Sequence, residues 1–166
     1  MLLLKITDVK SFMSKLLIKN VFDNFLMSEL EIRTFSLFQI DGKLNQEWFD
    51  TDELEILQDK DYVKWEKVRP LVYQMVKGSK VPGSMKIVLL LSTENKYRIL
   101  NRMQQNQTVD EVSQFFLNMK FEKGEMFLTT GVSYKIFTMD KTMQEQWELD
   151  LKKFLKYYEI EFEEIS

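Results

Sequence analysis

Ten cationic side chains fall between residues 60 and 105 (Lys60, Lys64, Lys67, Arg69, Lys77, Lys80, Lys86, Lys96, Arg98 and Arg102), against three carboxylates, Asp61, Glu66 and Glu94. That segment carries a net +7, while the whole chain of 166 residues carries −3. Cations gathered on one folded face can neutralise phosphates even on an acidic protein. Tyr62, Trp65, Tyr73 and Tyr97 are interleaved with them. The competing reading is a solvated helix face, and Trp65 shares a helical stripe with Val68 and Val72, which favours a core position for it. The residues singled out for anion or nucleic-acid binding are Lys64, Lys67, Arg69, Lys77, Lys80, Arg98 and Arg102.

Other chemistries are largely closed. The chain has no histidine and no cysteine, which removes imidazole bases, thiol nucleophiles, disulfides, thiolate zinc sites and Fe–S clusters together. Carboxylates, Lys, Tyr, Ser, Thr and backbone amides remain. Gly78 and Gly83 have the outer spacing of a phosphate loop, but Ser84 and Met85 follow where Lys and Ser/Thr are needed, and a strand rather than a helix comes next. Asp50, Asp52, Glu53, Asp59 and Asp61 could bind Mg²⁺ or Ca²⁺ through oxygen, yet Glu55 stands where an EF-hand needs glycine. Acid at a helix N-terminus accounts for the cluster. No cofactor and no metal is expected, and no carboxylate pair singles itself out for catalysis.

The elements that must carry these residues follow from periodicity. Residues 2–6 read as a strand, and Thr7 or Asp8 caps a helix through Val9, Phe12, Met13, Leu16 and Leu17. Alternation follows from Leu30 to Ile40, and Asp41 with Gly42 predicts a two-residue hairpin turn placing Phe35 opposite Trp48. Residues 50–78 read as mainly helical, kinked or restarted at Pro70 and capped by Gly78. Residues 85–91 form a strand apolar enough to be central, and Ser92 caps the next helix. A loop over 104–110 and three strands over 114–121, 125–130 and 133–139 follow, with turns at Lys123, Gly124 and at Thr130, Gly131. Asp140 or Thr142 starts the last helix, with Thr142 and Glu145 fitting a capping box. The acidic segment 159–165 adds an edge strand.

This order makes one α+β domain over 1–166 with antiparallel sheets and a C-terminal helix. Residues 85–139 read β-α-β-β-β and residues 2–49 begin β-α-β-β, which points to an internal repeat over 1–80 and 84–166. A duplicated unit of this kind resembles one domain of the DNA sliding clamps, in topology alone. Ile6, Asp8, Val9, Lys10, Ser11 and Phe12, then Lys77, Gly78 and Pro82, then Gly131 and Met139, Asp140, Lys141 and Thr142 carry a second likeness. By these residues the chain resembles an uncharacterised family, a domain of unknown function, of anaerobic Gram-positive bacteria. That resemblance implies a bacterial protein and brings no activity or site with it.

No apolar run approaches the roughly 20 residues a bilayer span requires, and the start of the chain lacks the pattern of a signal peptide. A cytoplasmic protein is expected. The favoured function is a non-catalytic binding or scaffolding module whose basic central surface meets an anionic partner such as nucleic acid. The alternatives are a carboxylate-based, Mg²⁺-dependent enzyme and a structural subunit that binds another protein.

Overall fold

A computed structural model describes residues 1–78, 80–103, 112–135 and 140–166. The elements are β1 (Leu3–Ile6), α1 (Val9–Leu17), β2 (Leu26–Arg33), β3 (Leu37–Asp41), a 3₁₀ turn (Gln46–Trp48), α2 (Thr51–Ile56), β4 (Val63–Lys64), α3 (Trp65–Val76), β5 (Ser84–Leu90), α4 (Thr93–Met103), β6 (Val112–Glu122), β7 (Glu125–Tyr134), α5 (Thr142–Tyr157) and β8 (Phe162–Glu164). The described strands form one sheet in the order β3-β2-β5-β6-β7-β1-β8, with β4 also pairing β2, and every pairing is antiparallel. The protein is α+β, as its pattern of elements predicts.

Alternation along each strand assigns its two faces. One row across six strands runs Leu4, Leu128, Met119, Ile87, Leu30, Ile40. All but Ile40 are buried, and this face packs against Phe12 and Leu16 of α1, Trp65 and Val72 of α3, and Trp147 and Leu151 of α5. A neighbouring row runs Lys5, Phe127, Lys120, Lys86, Glu31, Gln39 on the opposite face. There a small cluster of Leu26, Val88 and Leu90 is covered by Tyr62 and Phe116. The layering is therefore α1, α3, α4 and α5 on one side of a sheet whose other side is mostly polar.

Several expectations need correction. The hairpin after β2 turns at Thr34 to Ser36, where the Thr34 N–H donates to the Ser36 carbonyl at 2.9 Å. Gly42 serves a different purpose: it passes so close to the β2 backbone that an added Cβ would sit 1.8 Å from the Met27 carbonyl oxygen. Phe35 consequently stands at the hairpin tip, 93% exposed, and edges against Phe38 instead of Trp48. The 50–78 segment is interrupted by β4, because Val63 and Lys64 pair with Met27 and Leu26. Pro70 lies inside α3, so the Glu66 carbonyl loses its helical donor while the helix continues.

Gly131 does not turn the chain. It continues β7 opposite Phe116, so two of the three expected strands are one. The turn at Lys123 and Gly124 forms as expected, with φ of 54° and 78°, the left-handed pair a two-residue hairpin demands. The Thr142–Glu145 box gives way to Asp140, whose Oδ1 accepts the Thr142 N–H at 2.9 Å. Asp8 caps α1, Ser92 caps α4 and β8 forms at the edge beside β1. The loop over 104–110 and most of the strand over 133–139 lie outside the described residues. In the sheet β5 and β6 are neighbours, whereas β1 and β2 are separated by β5, β6 and β7.

Candidate functional site

Helix α1 starts where the Asp8 carboxylate accepts the Ser11 N–H at 3.0 Å. Its Phe12 and Leu16 sink into the sheet, while Val9, Met13 and Leu17 recur at four-residue spacing along one flank. Helix α3 approaches that flank. The Trp65 indole N–H donates to the Leu16 carbonyl at 2.9 Å. Arg69 forks onto Asp23 at 2.7 and 3.0 Å, and its third nitrogen reaches the Ile18 carbonyl at 3.0 Å. These bonds tie the first half of α3 to the end of α1.

The two helices run in opposite senses. Helix α1 leaves β1 beside the β6–β7 turn, since Lys5 pairs with Phe127. The chain after α3 enters β5 at Ser84, which pairs with Glu122 just before that same turn. Lys10, at the start of α1, and Lys77, at the end of α3, therefore lie at one end of the sheet. Between the helices at that end is a groove of about 760 Å³. Val9, Met13, Leu17, Tyr73, Val76 and Met85 give it an apolar lining, and Val81, Pro82 and Phe121 complete it.

Its charged lining is of one sign. Lys10, Lys77 and Lys80 border the groove, and no carboxylate is among the described residues that line it. The volume lies within the 300–1,000 Å³ range usual for small-molecule sites. Two of these lysines, Lys77 and Lys80, come from the basic segment. Lys10 was not singled out from sequence, and Val9, Met13 and Leu17 read there simply as core. The available signal was the width of the α1 stripe, in which Val9 and Met13 are only half-buried.

The seven basic residues do not line one common pocket. Arg69 is bound to Asp23 and Ile18 within the fold, and that fork raises its pKa still further. Arg98 pairs with Glu94 at 2.7 Å, and Arg102 pairs with Asp150 of α5. Lys67 lies exposed on α3. Lys64 and Arg98 meet in a small polar pocket with Asn24, Gln58, Ser92, Asn95 and the Arg98 partner Glu94. Arg98 and Arg102 also border a larger cleft between α4 and α5, beside Phe25, Trp147 and Tyr158. That cleft contains a carboxylate, Asp150, so its electrostatic field is mixed.

Asp50, Glu53 and Asp59 of the acidic cluster are occupied with folding. Asp50 and Glu53 make the reciprocal bonds of a capping box on α2, at 2.8 and 3.1 Å. Asp59 is buried and accepts the Thr93 N–H at 2.9 Å, beside the start of α4. Among the described residues no group of three or more carboxylates is placed to hold a metal ion. No described helix is long and apolar enough to cross a membrane. Lys96 has a lowered pKa through burial, with Lys135 adding repulsion, and its ammonium donates to the Ser113 carbonyl at 2.8 Å.

Fold and groove together define an α+β protein with a one-sided antiparallel sheet and a cation-rimmed apolar groove. The chain belongs to a family of unknown function, DUF5721, whose profile matches residues 15–163. No curated protein and no solved structure matches the chain. Neither comparison shows the expected likeness to a sliding-clamp domain.

Proposed function

We propose that this protein is a non-catalytic binding module and that the groove between α1 and α3 receives its ligand. The observation that carries this reading is an apolar groove of about 760 Å³ with three lysines and, among the described residues, no carboxylate in its lining. An apolar ligand entering there gains by leaving water, by about 25 cal/mol for each Å² it buries. The lysines favour a ligand that also carries negative charge, so the anionic partner keeps its place in the proposal. The absence of cysteine gives the fold no use for an oxidising compartment, and a cytoplasmic setting is part of the proposal.

The test uses the neutral apolar fluorophore N-phenyl-1-naphthylamine. Saturable binding to one site is expected, weakened about tenfold or more by Met13→Glu, which places a carboxylate in the lining. Circular dichroism of the variant should be unchanged, because Met13 is only half-buried. Absence of saturable binding, or full binding by a folded Met13→Glu protein, would overturn the reading.

A second reading keeps nucleic acid as the partner, supported by the meeting of Lys64 and Arg98 in one polar pocket with Asn24 and Asn95, where a phosphate would compete with Glu94 for Arg98. It expects salt-sensitive binding of a single-stranded oligonucleotide, weakened when Lys64, Lys67, Arg98 and Arg102 are neutralised together. No change in fluorescence anisotropy at low ionic strength would sink it.

A further inference from the structure

We infer that the groove binds one long-chain aliphatic carboxylate, with its head among Lys10, Lys77 and Lys80 and its chain running toward Leu17 and Ile18. This rests on the reading of the groove as the ligand site and gives that site a substrate class.

The first argument is polarity along the groove. Lys10 and Lys77 come from the ends of α1 and α3 that lie together beside the β6–β7 turn, and Gly124 of that turn is part of the same lining. Lys80 follows two residues after Gly78 in the connection to β5. The far end is apolar, with Leu17 and Ile18. Beyond it the helices are closed together by the Trp65–Leu16 bond and the Arg69 fork onto Asp23 and the Ile18 carbonyl. One charged end and one apolar end match a molecule with one anionic head and one tail.

The second argument is that the mouth cations are free to accept a head group. Among the described residues Lys10, Lys77 and Lys80 make no ion pair, whereas Arg69, Arg98 and Arg102 each hold a carboxylate. Ammonium groups act as adjustable point charges, which suits a small carboxylate at a solvent-facing mouth. The groove offers little to a ligand with polar groups along its length: Ser14 and Tyr73 are its only uncharged hydroxyl-bearing side chains among the described residues. An extended peptide, whose amides need partners throughout, would leave them unsatisfied there.

The third argument is length. The α1 wall from Val9 to Leu17 is about 12 Å long at 1.5 Å per residue, the reach of a chain of about ten carbons. Affinity should therefore rise with chain length, by roughly threefold or more per methylene, until the chain fills the groove, and then level off.

The experiment is competition against bound N-phenyl-1-naphthylamine by saturated carboxylates of graded length and by the primary alcohols of the same lengths. The expected result is a plateau near ten to twelve carbons and carboxylates about tenfold tighter than the matching alcohols. The triple variant Lys10→Gln, Lys77→Gln, Lys80→Gln should lose that preference, with acid and alcohol of one length then displacing the fluorophore equally. Equal displacement by acid and alcohol in the unsubstituted protein, or a triple variant that keeps the preference, overturns the carboxylate assignment and leaves the groove as a site. Failure of the fluorophore itself to bind overturns the site reading, and the assignment falls with it.

Discussion

Arg69 and Asp23 lie 46 positions apart and meet through two parallel bonds of 2.7 and 3.0 Å. Their side chains are 19% and 12% exposed, so the pair is shielded from solvent and salt more than a surface ion pair is. The fork fixes the turn after α1 against the middle of α3. It thereby holds α1 and α3 together beyond the apolar end of the groove.

Asp23→Ala should leave Arg69 with the Ile18 carbonyl as its remaining partner. A loss of about 2–3 kcal/mol is expected, the range for removing a hydrogen-bonded charge partner. Urea unfolding with an unchanged m-value measures it. A loss within the ordinary range for surface pairs, below about 0.5 kcal/mol, would show that solvent already weakens the fork.

Two glycines should respond oppositely to alanine. At Gly42 the new methyl would meet the Met27 carbonyl oxygen at 1.8 Å, a backbone contact that can be relieved only by moving β2. Gly42→Ala is expected to cost about 3 kcal/mol or more. At Gly131 the nearest atom is the Phe116 Cβ at 3.7 Å, an ordinary contact. Gly131→Ala should stabilise by about 0.5 kcal/mol through the entropy of the unfolded chain. Thermal unfolding of both variants tests the contrast, and equal melting temperatures would refute it.

Gly124→Ala addresses the turn at the groove mouth. Open space surrounds an added Cβ there, but φ is +78°, so the expected cost is purely conformational, about 1 kcal/mol. Fluorophore binding should persist in this variant. Loss of binding without loss of stability would mean that the turn itself contacts the ligand.

Lys96 predicts a pH dependence. Its pKa is lowered in the folded protein, first by burial and then by Lys135, from an ordinary value of 10.5. Between the folded and unfolded values the unfolded chain binds more protons, so stability rises with pH through that alkaline window. Below the window both states are protonated and burial of the charge is a constant penalty. Lys96→Met should flatten the rise, as measured by urea midpoints on either side of the window. An unchanged slope would assign the effect to other groups.

The sequence disclosed those features that depend on neighbours along the chain. Asp8 and Ser92 were legible as caps, Lys123 and Gly124 as a hairpin turn, and Trp65 with Val68 and Val72 as a buried stripe, because each rests on spacing of a few residues. Asp41 and Gly42 misled for a physical reason. A glycine needed to let two backbones pass looks the same in sequence as a glycine needed for φ > 0, and the distinction belongs to Met27. Gly131 misled similarly, since a strand can hold a glycine opposite a large residue such as Phe116. The basic segment was visible, but its partition was not. Asp23 and Asp150, the carboxylates that engage Arg69 and Arg102, come from distant parts of the chain. Lys10, which joins Lys77 and Lys80 at the groove, comes from α1.

Strand β1 has its partners almost a full chain length away. Leu4 is placed between Leu128 of β7 and Glu164 of β8, and the Leu3 N–H donates to the Ser166 carbonyl at 2.8 Å. During synthesis β1 emerges well before β7 and β8 and must wait for them before its backbone is satisfied. Its apolar Leu4 and Ile6, and Leu2 just before it, stay uncovered in the interval. Such late pairing slows folding and lengthens exposure to aggregation. Leu4→Ala should accordingly accelerate unfolding while leaving the folding rate nearly unchanged, and a comparable slowing of folding in stopped-flow traces would place β1 in the nucleus instead.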